Sequence, residues 1–216
     1  LTPMGRDFQL SLADVYALLH AEKSLAANEA ASAAYIRAGV ILTVTAWETF
    51  VEDTLRTYAA HVLETPTSPD EVPKAFNAVA QAWLFTTADK RHLTPPGLKK
   101  WTGDGWKTMI REHFENEVAT FNTPKSENIA SLFQRYAGFD VCALWKWEGT
   151  TSAEASANLD ELVSKRGALV HRGRTSADTV PLPTRDWLID KITLIEQMAW
   201  LTDLYVYGKL PSPGAS

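Results

Sequence analysis

The feature that most constrains the fold is a stripe of apolar residues along residues 30–63. Its members recur at steps of three and four, the spacing that places side chains on one face of an α-helix. They are Ile36, Val40, Val44, Trp47, Val51, Leu55, Tyr58 and Val62. Because a helix with such a stripe needs other elements to cover it, the sequence predicts an all-α bundle of two long and several shorter helices.

Helical patterns also dominate the rest of the chain, whereas strand signals are nearly absent. We expect a first helix over 11–27, with Leu18 and Leu25 on its buried side, and a last helix over 185–207 that buries Leu201. Further helices are predicted over 70–85, 106–121, 126–137 and 151–171, with a short helix or turn over 140–147. Ser126 is expected to cap its helix and Gly138 to end it.

These elements predict an all-α fold, an up-and-down helical bundle that forms a single domain over residues 1–210. Residues 86–105 contain the sequence ProProGly and follow no helical period, so we expect an irregular insertion on the surface. Residues 211–216 are small and proline-rich, and we expect a disordered tail there.

The composition excludes several classes of function. Cys142 is the only cysteine and the five histidines are scattered, so no disulfide, metal site or cofactor is expected. No apolar run reaches about 20 residues and no signal peptide is recognisable, which predicts a cytoplasmic protein without a membrane span. The formal net charge of −5 argues against nucleic-acid binding over the whole surface, but it allows a local basic cleft.

The densest basic cluster lies at the end of the helix predicted over 151–171. Arg166 precedes His171 by five residues, and Lys165, Arg172 and Arg174 flank the pair. A guanidinium binds a phosphate through two parallel hydrogen bonds, and an imidazole exchanges protons near neutral pH. The cluster therefore predicts a phosphate site in which Arg166 holds the anion and His171 is a general acid or base.

The spacing of Arg166 and His171 is a short motif, and it also has an interpretation without a ligand. Five residues of continuous helix leave two side chains about 140° apart, so we expect the helix to end near His171 and let both face one cleft. The alternative is a helix end whose cations simply suit the helix dipole. The same spacing recurs at Arg56 and His61 without basic neighbours, and we interpret that pair as coincidence.

Three segments resemble the HEPN superfamily of all-α domains over roughly residues 10–205. The segment 162–173, LVSKRGALVHRG, is similar to its Arg-x4–6-His motif. The segment 45–56, TAWETFVEDTLR, resembles its long second helix, and 128–140, NIASLFQRYAGFD, resembles the helix before the motif in the RiboL-PSP branch.

The resemblance implies a HEPN-like bundle that cleaves RNA without a metal, through Arg166 and His171. It also implies a homodimer with one composite cleft, often acting in stress response or antiviral defence as a toxin with a neutralising partner protein. Two positions depart from the family pattern. Gly167 follows the motif arginine where active members commonly carry Asn, Asp or His, and Gly173 stands where some members carry tyrosine.

Two alternatives to a ribonuclease therefore stay open: a catalytically silent HEPN module that binds RNA or a protein, and a helical scaffold without a ligand. Glu48 lies off the apolar stripe of the long helix, where it would pair with Arg166, orient His171 or remain solvated. We include Glu48 with the flanking cations among the candidate substrate-binding residues. Trp47 is expected in the core.

The insertion offers a second candidate contact for RNA. Trp101 and Trp106, with Lys99 and Lys100, have the chemistry to stack on bases and hold phosphates. Packing of these tryptophans against the bundle is the favoured interpretation, because Trp is usually buried.

Overall fold

A computed structural model describes residues 3–25, 28–68, 71, 72, 74, 76, 78, 103–172 and 182–210. These residues form six α-helices and one 3₁₀ helix, and no strand occurs among them, which confirms the all-α prediction. The helices are α1 (Pro3–Lys23), α2 (Glu29–Val62), α3 (Gly105–Val118), α4 (Ser126–Ala137), α5 (Ser152–Arg172) and α6 (Arg185–Lys209). The 3₁₀ helix, Val141–Leu144, lies between α4 and α5.

The long helix α2 forms over the predicted stretch and is the centre of the core. It begins after Asn28, whose side chain accepts a hydrogen bond from the backbone N–H of Ala31 at 3.1 Å. Trp47 is completely buried and packs against Phe50 and Trp145, with ring centroids 5.6 and 5.7 Å away. The rings of these residues join α2 to the segment that precedes α5.

By length and composition alone, α2 is also apolar enough to cross a membrane. Its most apolar 18-residue window has a mean hydropathy of 1.3, and 39% of that window is buried within the structure. The central helix of a bundle has the same properties, because its neighbours cover it on several sides.

The first helix differs from its predicted bounds at both ends. It begins at Pro3 because Phe8 already packs on Phe50 of α2, with centroids 5.0 Å apart. It ends at Lys23, so Leu25 follows the helix, in a tight turn whose N–H donates to the carbonyl of Glu22 at 2.9 Å. Leu25 and Leu18 are only partly buried.

The helix α4 has the predicted bounds but not the predicted cap. Lys125 occupies the N-cap position and makes no side-chain cap bond. Instead Asp160 of α5 accepts hydrogen bonds from the Ser126 N–H at 2.7 Å and from its hydroxyl at 2.9 Å. Gly138 ends the helix in the left-handed conformation with φ of 78°, as predicted.

The predicted helix over 70–85 and the insertion over 86–105 lie almost entirely outside the described residues, as do Lys99, Lys100, Trp101 and the tail 211–216. Phe76 is described and is buried against Phe114 and Tyr136, with centroids 6.0 and 5.5 Å away. Trp106 is 2% exposed, so it packs in the core and presents no ring for stacking on RNA.

The last helix begins after Thr184, whose hydroxyl accepts the Trp187 N–H at 3.2 Å. It extends to Lys209, beyond the predicted end, and Leu201 is only partly buried. Its apolar side carries a buried cation: Lys191 donates to Glu161 at 2.5 Å and to Asn158 at 2.6 Å. These bonds join α6 to α5.

Candidate functional site

Arg166 and Glu48 meet where α5 crosses α2. Leu162 and Val163, which precede Arg166 on α5, are buried. This part of the helix therefore faces the core. Glu48 follows Trp47, whose packing holds α2 in register. The Arg166 Nη2 lies 3.9 Å from the Glu48 Oε2, and these side chains are 30% and 17% exposed. A contact of this length is an ion pair and not a hydrogen bond.

The electrostatics of the pair follow from its partial burial. Burial raises the pKa of Glu48, the charge of Arg166 opposes that rise, and the neighbouring carboxylate of Glu52 adds to it. The charge of Glu48 is therefore only partly compensated at this site. One anion already lies beside Arg166, and a bound phosphate would compete with it.

Arg166 also has donor capacity that Glu48 does not use. Its Nε is buried, and no acceptor for it occurs among the described residues. An unfilled buried donor costs stability, so a ligand that accepts this hydrogen bond gains from it. A phosphate oxygen is such an acceptor.

The helix α5 ends within one residue of the end predicted at His171. The helix continues through His171 to Arg172, so positions 166 and 171 lie about 140° apart around one helix axis. A single helix therefore does not bring them to the same face. The side chains of His171 and Arg172, and all of Gly173 and Arg174, lie outside the described residues.

The remaining basic residue of the cluster has a different neighbour. The hydrogen bond from Lys191 lowers the pKa of Glu161, the hydrogen bond from Trp187 at 3.2 Å adds to this effect, and the charge of Lys165 contributes a smaller part. Lys165 thus lies on the α6 side of α5, whereas Arg166 lies on the α2 side. The contiguous cluster in the sequence is divided between two sides of the helix.

In the second Arg-x4-His pair, the arginine Arg56 forms ion pairs within the fold. Arg56 forms ion pairs with Glu52, Asp53 and Glu115 at 3.0, 3.2 and 3.1 Å. Three carboxylates around one guanidinium leave little capacity for a phosphate. This environment agrees with our interpretation of Arg56 and His61 as coincidence.

The family model for RiboL-PSP-HEPN matches residues 10–205. The chain belongs to the RiboL-PSP-HEPN family. No curated protein and no solved structure is significantly similar to the chain. The match covers every described helix of this HEPN domain at least in part, including the segment that carries Arg166 and His171.

Sequence reasoning missed two charged groups that shape this HEPN domain. Glu52 acts on the pKa of Glu48 from one turn away, and its spacing of four residues to both Glu48 and Arg56 was the available signal. Lys191 interrupts the apolar stripe of α6 and pairs with Glu161. No group of three metal-ligating side chains lies together in the described part of the domain.

Proposed function

We propose that the chain is a metal-independent endoribonuclease of the HEPN type, with Arg166 as the phosphate-binding residue and His171 as general acid or base. The proposal rests on the burial of Arg166 and on the partners of its guanidinium. Its guanidinium is partly buried, and among the described residues it pairs with one carboxylate at 3.9 Å while its Nε has no acceptor. Family membership supplies the expectation that the ligand is RNA.

The proposed reaction uses the ribose itself as nucleophile. The 2′-oxygen attacks the adjacent phosphorus, the bond from phosphorus to the 5′-oxygen breaks, and the products are a 2′,3′-cyclic phosphate and a free 5′-hydroxyl. A histidine accepts the proton of the 2′-hydroxyl, and a protonated histidine gives one to the leaving 5′-oxygen. Arg166 stabilises the charge that develops on the phosphoryl oxygens.

The helix geometry supports a composite cleft between two copies. Because positions 166 and 171 lie about 140° apart around the axis of α5, we propose that a two-fold axis brings position 166 of one copy close to position 171 of the other. Two histidines in one cleft would also divide the roles of base and acid. We further propose action in defence or stress response, with a neutralising partner protein.

The test is incubation of the purified protein with RNA in the presence of EDTA, beside the His171→Ala variant. The expected result is cleavage that survives chelation, leaves 2′,3′-cyclic ends and is lost in the variant. Cleavage that stops in EDTA and returns with Mg²⁺ would overturn the mechanism.

One observation favours a second candidate, a silent HEPN module that binds RNA without cleaving it. Gly167 provides no side chain at the position after the motif arginine. RNA that binds with an affinity dependent on Arg166 but stays intact over long incubation would identify this function.

A further inference from the structure

A row of charged side chains runs along one face of α2, between α5 and α3. Its members on α2 are Glu48, Glu52 and Arg56, which are four residues apart, so each lies one turn from the next. Arg166 of α5 lies at one end of this charged row, 3.9 Å from Glu48. Glu115 of α3 lies at the other end, where it accepts the Arg56 Nε–H at 3.1 Å. Two carboxylates are therefore neighbours in the middle of the row, and each has an arginine on its outer side.

The two arginines hold their carboxylates with different firmness. Arg56 donates to Glu52 at 3.0 Å, which is a charge-assisted hydrogen bond, whereas Arg166 and Glu48 are too far apart for one. The side chains of Glu52 and Glu48 are 21% and 17% exposed, so different burial does not explain the difference. Glu52 is held in place, and Glu48 is the carboxylate that an incoming anion can displace.

Glu52 acts on Glu48 across one turn of α2. Like charges at this spacing repel each other, and water screens partly buried groups less than exposed ones. Burial raises the pKa of Glu48 most, the charge of Arg166 on α5 lowers it, and the charge of Glu52 raises it further. No charge from α1, α4 or α6 is among these causes in the described part of the chain. The neighbour on α2 and the partner on α5 thus act on Glu48 in opposite directions.

We propose that Glu52 is a positioning residue of the phosphate site, held by Arg56 so that its charge loosens Glu48 from Arg166. The proposal rests on the proposed function, in which Arg166 binds a phosphate of RNA. When a phosphate takes the place of Glu48, that carboxylate loses its arginine while Glu52 remains beside it. One of two neighbouring carboxylates takes up a proton readily, so Glu48 accepts a proton from water. Binding of RNA is therefore accompanied by proton uptake.

Arg56 serves the site without binding phosphate. Asp53 and Glu115 also pair with its guanidinium, at 3.2 and 3.1 Å, so carboxylates fix this side chain from three positions. Its charge neutralises part of the charge of Glu52 and holds that carboxylate one turn from Glu48. Without Arg56, the full charge of Glu52 would act on Glu48.

The first experiment follows the NMR signal of the Glu48 carboxyl carbon against pH in the ligand-free protein. Glu52→Gln removes the neighbouring charge at nearly constant volume, so the midpoint should fall by about 0.3–1 pH unit. Asp53→Asn is the matched control, because Asp53 also pairs with Arg56 but lies about 140° around α2 from Glu48. Its midpoint should remain at the wild-type value. Equal midpoints in the wild type and Glu52→Gln overturn the proposal, as does an equal shift in the control.

The role of Arg56 is tested in two backgrounds by the same titration. Arg56→Gln should raise the Glu48 midpoint, whereas Arg56→Lys, which keeps a cation, should leave it near the wild-type value. In combination with Glu52→Gln, Arg56→Gln should have a much smaller effect, because no Glu52 charge is then left to neutralise. An equal effect in both backgrounds would overturn this role, since Arg56 would then act on Glu48 directly.

A binding experiment connects Glu52 to the phosphate site. The probe is a short 2′-O-methyl RNA strand, which keeps its phosphodiester charges and lacks the nucleophile for cleavage. Just above the Glu48 midpoint, calorimetry in two buffers of different ionisation enthalpy should show proton uptake on binding by the wild type and none by Glu48→Gln. Binding to the wild type without proton uptake overturns the exchange at Arg166.

Failure of the proposed function is read separately. Absence of binding, or binding unchanged in Arg166→Ala, overturns the proposed phosphate site. The titration of the ligand-free protein decides the effect of Glu52 on Glu48 without any RNA.

Discussion

The carboxylate of Glu48 lies 3.9 Å from the guanidinium of Arg166, and this ion pair connects α2 to α5 at the candidate site. Both side chains are partly buried, so water screens their interaction less than it screens a surface pair. The pair neutralises part of the charge that a phosphate would use. We therefore expect Glu48 to compete with an anionic ligand for Arg166.

Replacement of Glu48 by glutamine should tighten RNA binding. The change removes one negative charge beside Arg166 at nearly constant volume, and we expect an affinity gain of about two- to fivefold, equivalent to about 0.5–1 kcal/mol. Fluorescence anisotropy with a labelled single strand measures it at several salt concentrations. Asp53→Asn, which alters a carboxylate paired with Arg56, is the control and should leave affinity unchanged.

The same variant should change the pH dependence. Burial raises the pKa of Glu48, so the folded protein holds this proton at pH values where the unfolded chain has lost it. The stability that this group contributes is present at low pH and falls as pH rises through the raised pKa. RNA affinity should increase as pH falls through that same range in the wild type but not in Glu48→Gln. An equal increase in RNA affinity at low pH in the wild type and in Glu48→Gln would contradict this role of the Glu48 carboxylate.

His171→Ala should slow RNA cleavage about 10²–10⁴-fold because it removes the proposed proton transfer, and circular dichroism should show unchanged helical content. Arg166→Lys should also be slow, since lysine keeps the charge but lacks the planar pair of donors. The matched control is Arg56→Ala with His61→Ala, assayed well below its melting temperature. An equal loss in that control would mean that the other Arg-x4-His pair is the catalytic one.

A mixture of Arg166→Ala and His171→Ala proteins should regain activity if the cleft is composite. Each variant alone lacks one required group, whereas a mixed pair retains one arginine and one histidine across the interface. After joint unfolding and refolding, we expect cleavage at least about tenfold above either variant alone. A mixture no more active than its components would show that each chain needs both groups itself.

Asp160→Ala should destabilise the domain although it leaves the candidate site untouched. The carboxylate accepts two hydrogen bonds from Ser126 at the start of α4, and their loss should cost about 1–2 kcal/mol. For a chain of this size, each kcal/mol lowers the melting temperature by about 2–4 °C. Glu148→Ala, at an exposed carboxylate, is the control. Equal melting temperatures for the two variants would refute the capping role.

The sequence by itself determined the helices and helix ends that depend only on residues nearby in the chain. The spacing of apolar residues along α2 specifies a helix whatever its neighbours are, and Trp47 falls on the stripe that becomes the core. Gly138 ends α4 because a left-handed residue is needed there, and Thr184 precedes α6 as its cap. These features depend on residues within one or two helical turns, so their pattern is visible in the linear chain.

Only the tertiary structure decided which distant residues meet. Asp160, and not Ser126, caps α4, because packing brings α5 to a position 34 residues away in sequence. Phe50 extends α1 towards the N-terminus by covering Phe8, and the crossing of α2 with α5 selects Glu48 as the neighbour of Arg166. Such contacts depend on how helices pack against one another, and the helical period that predicts each helix carries no information about its partner.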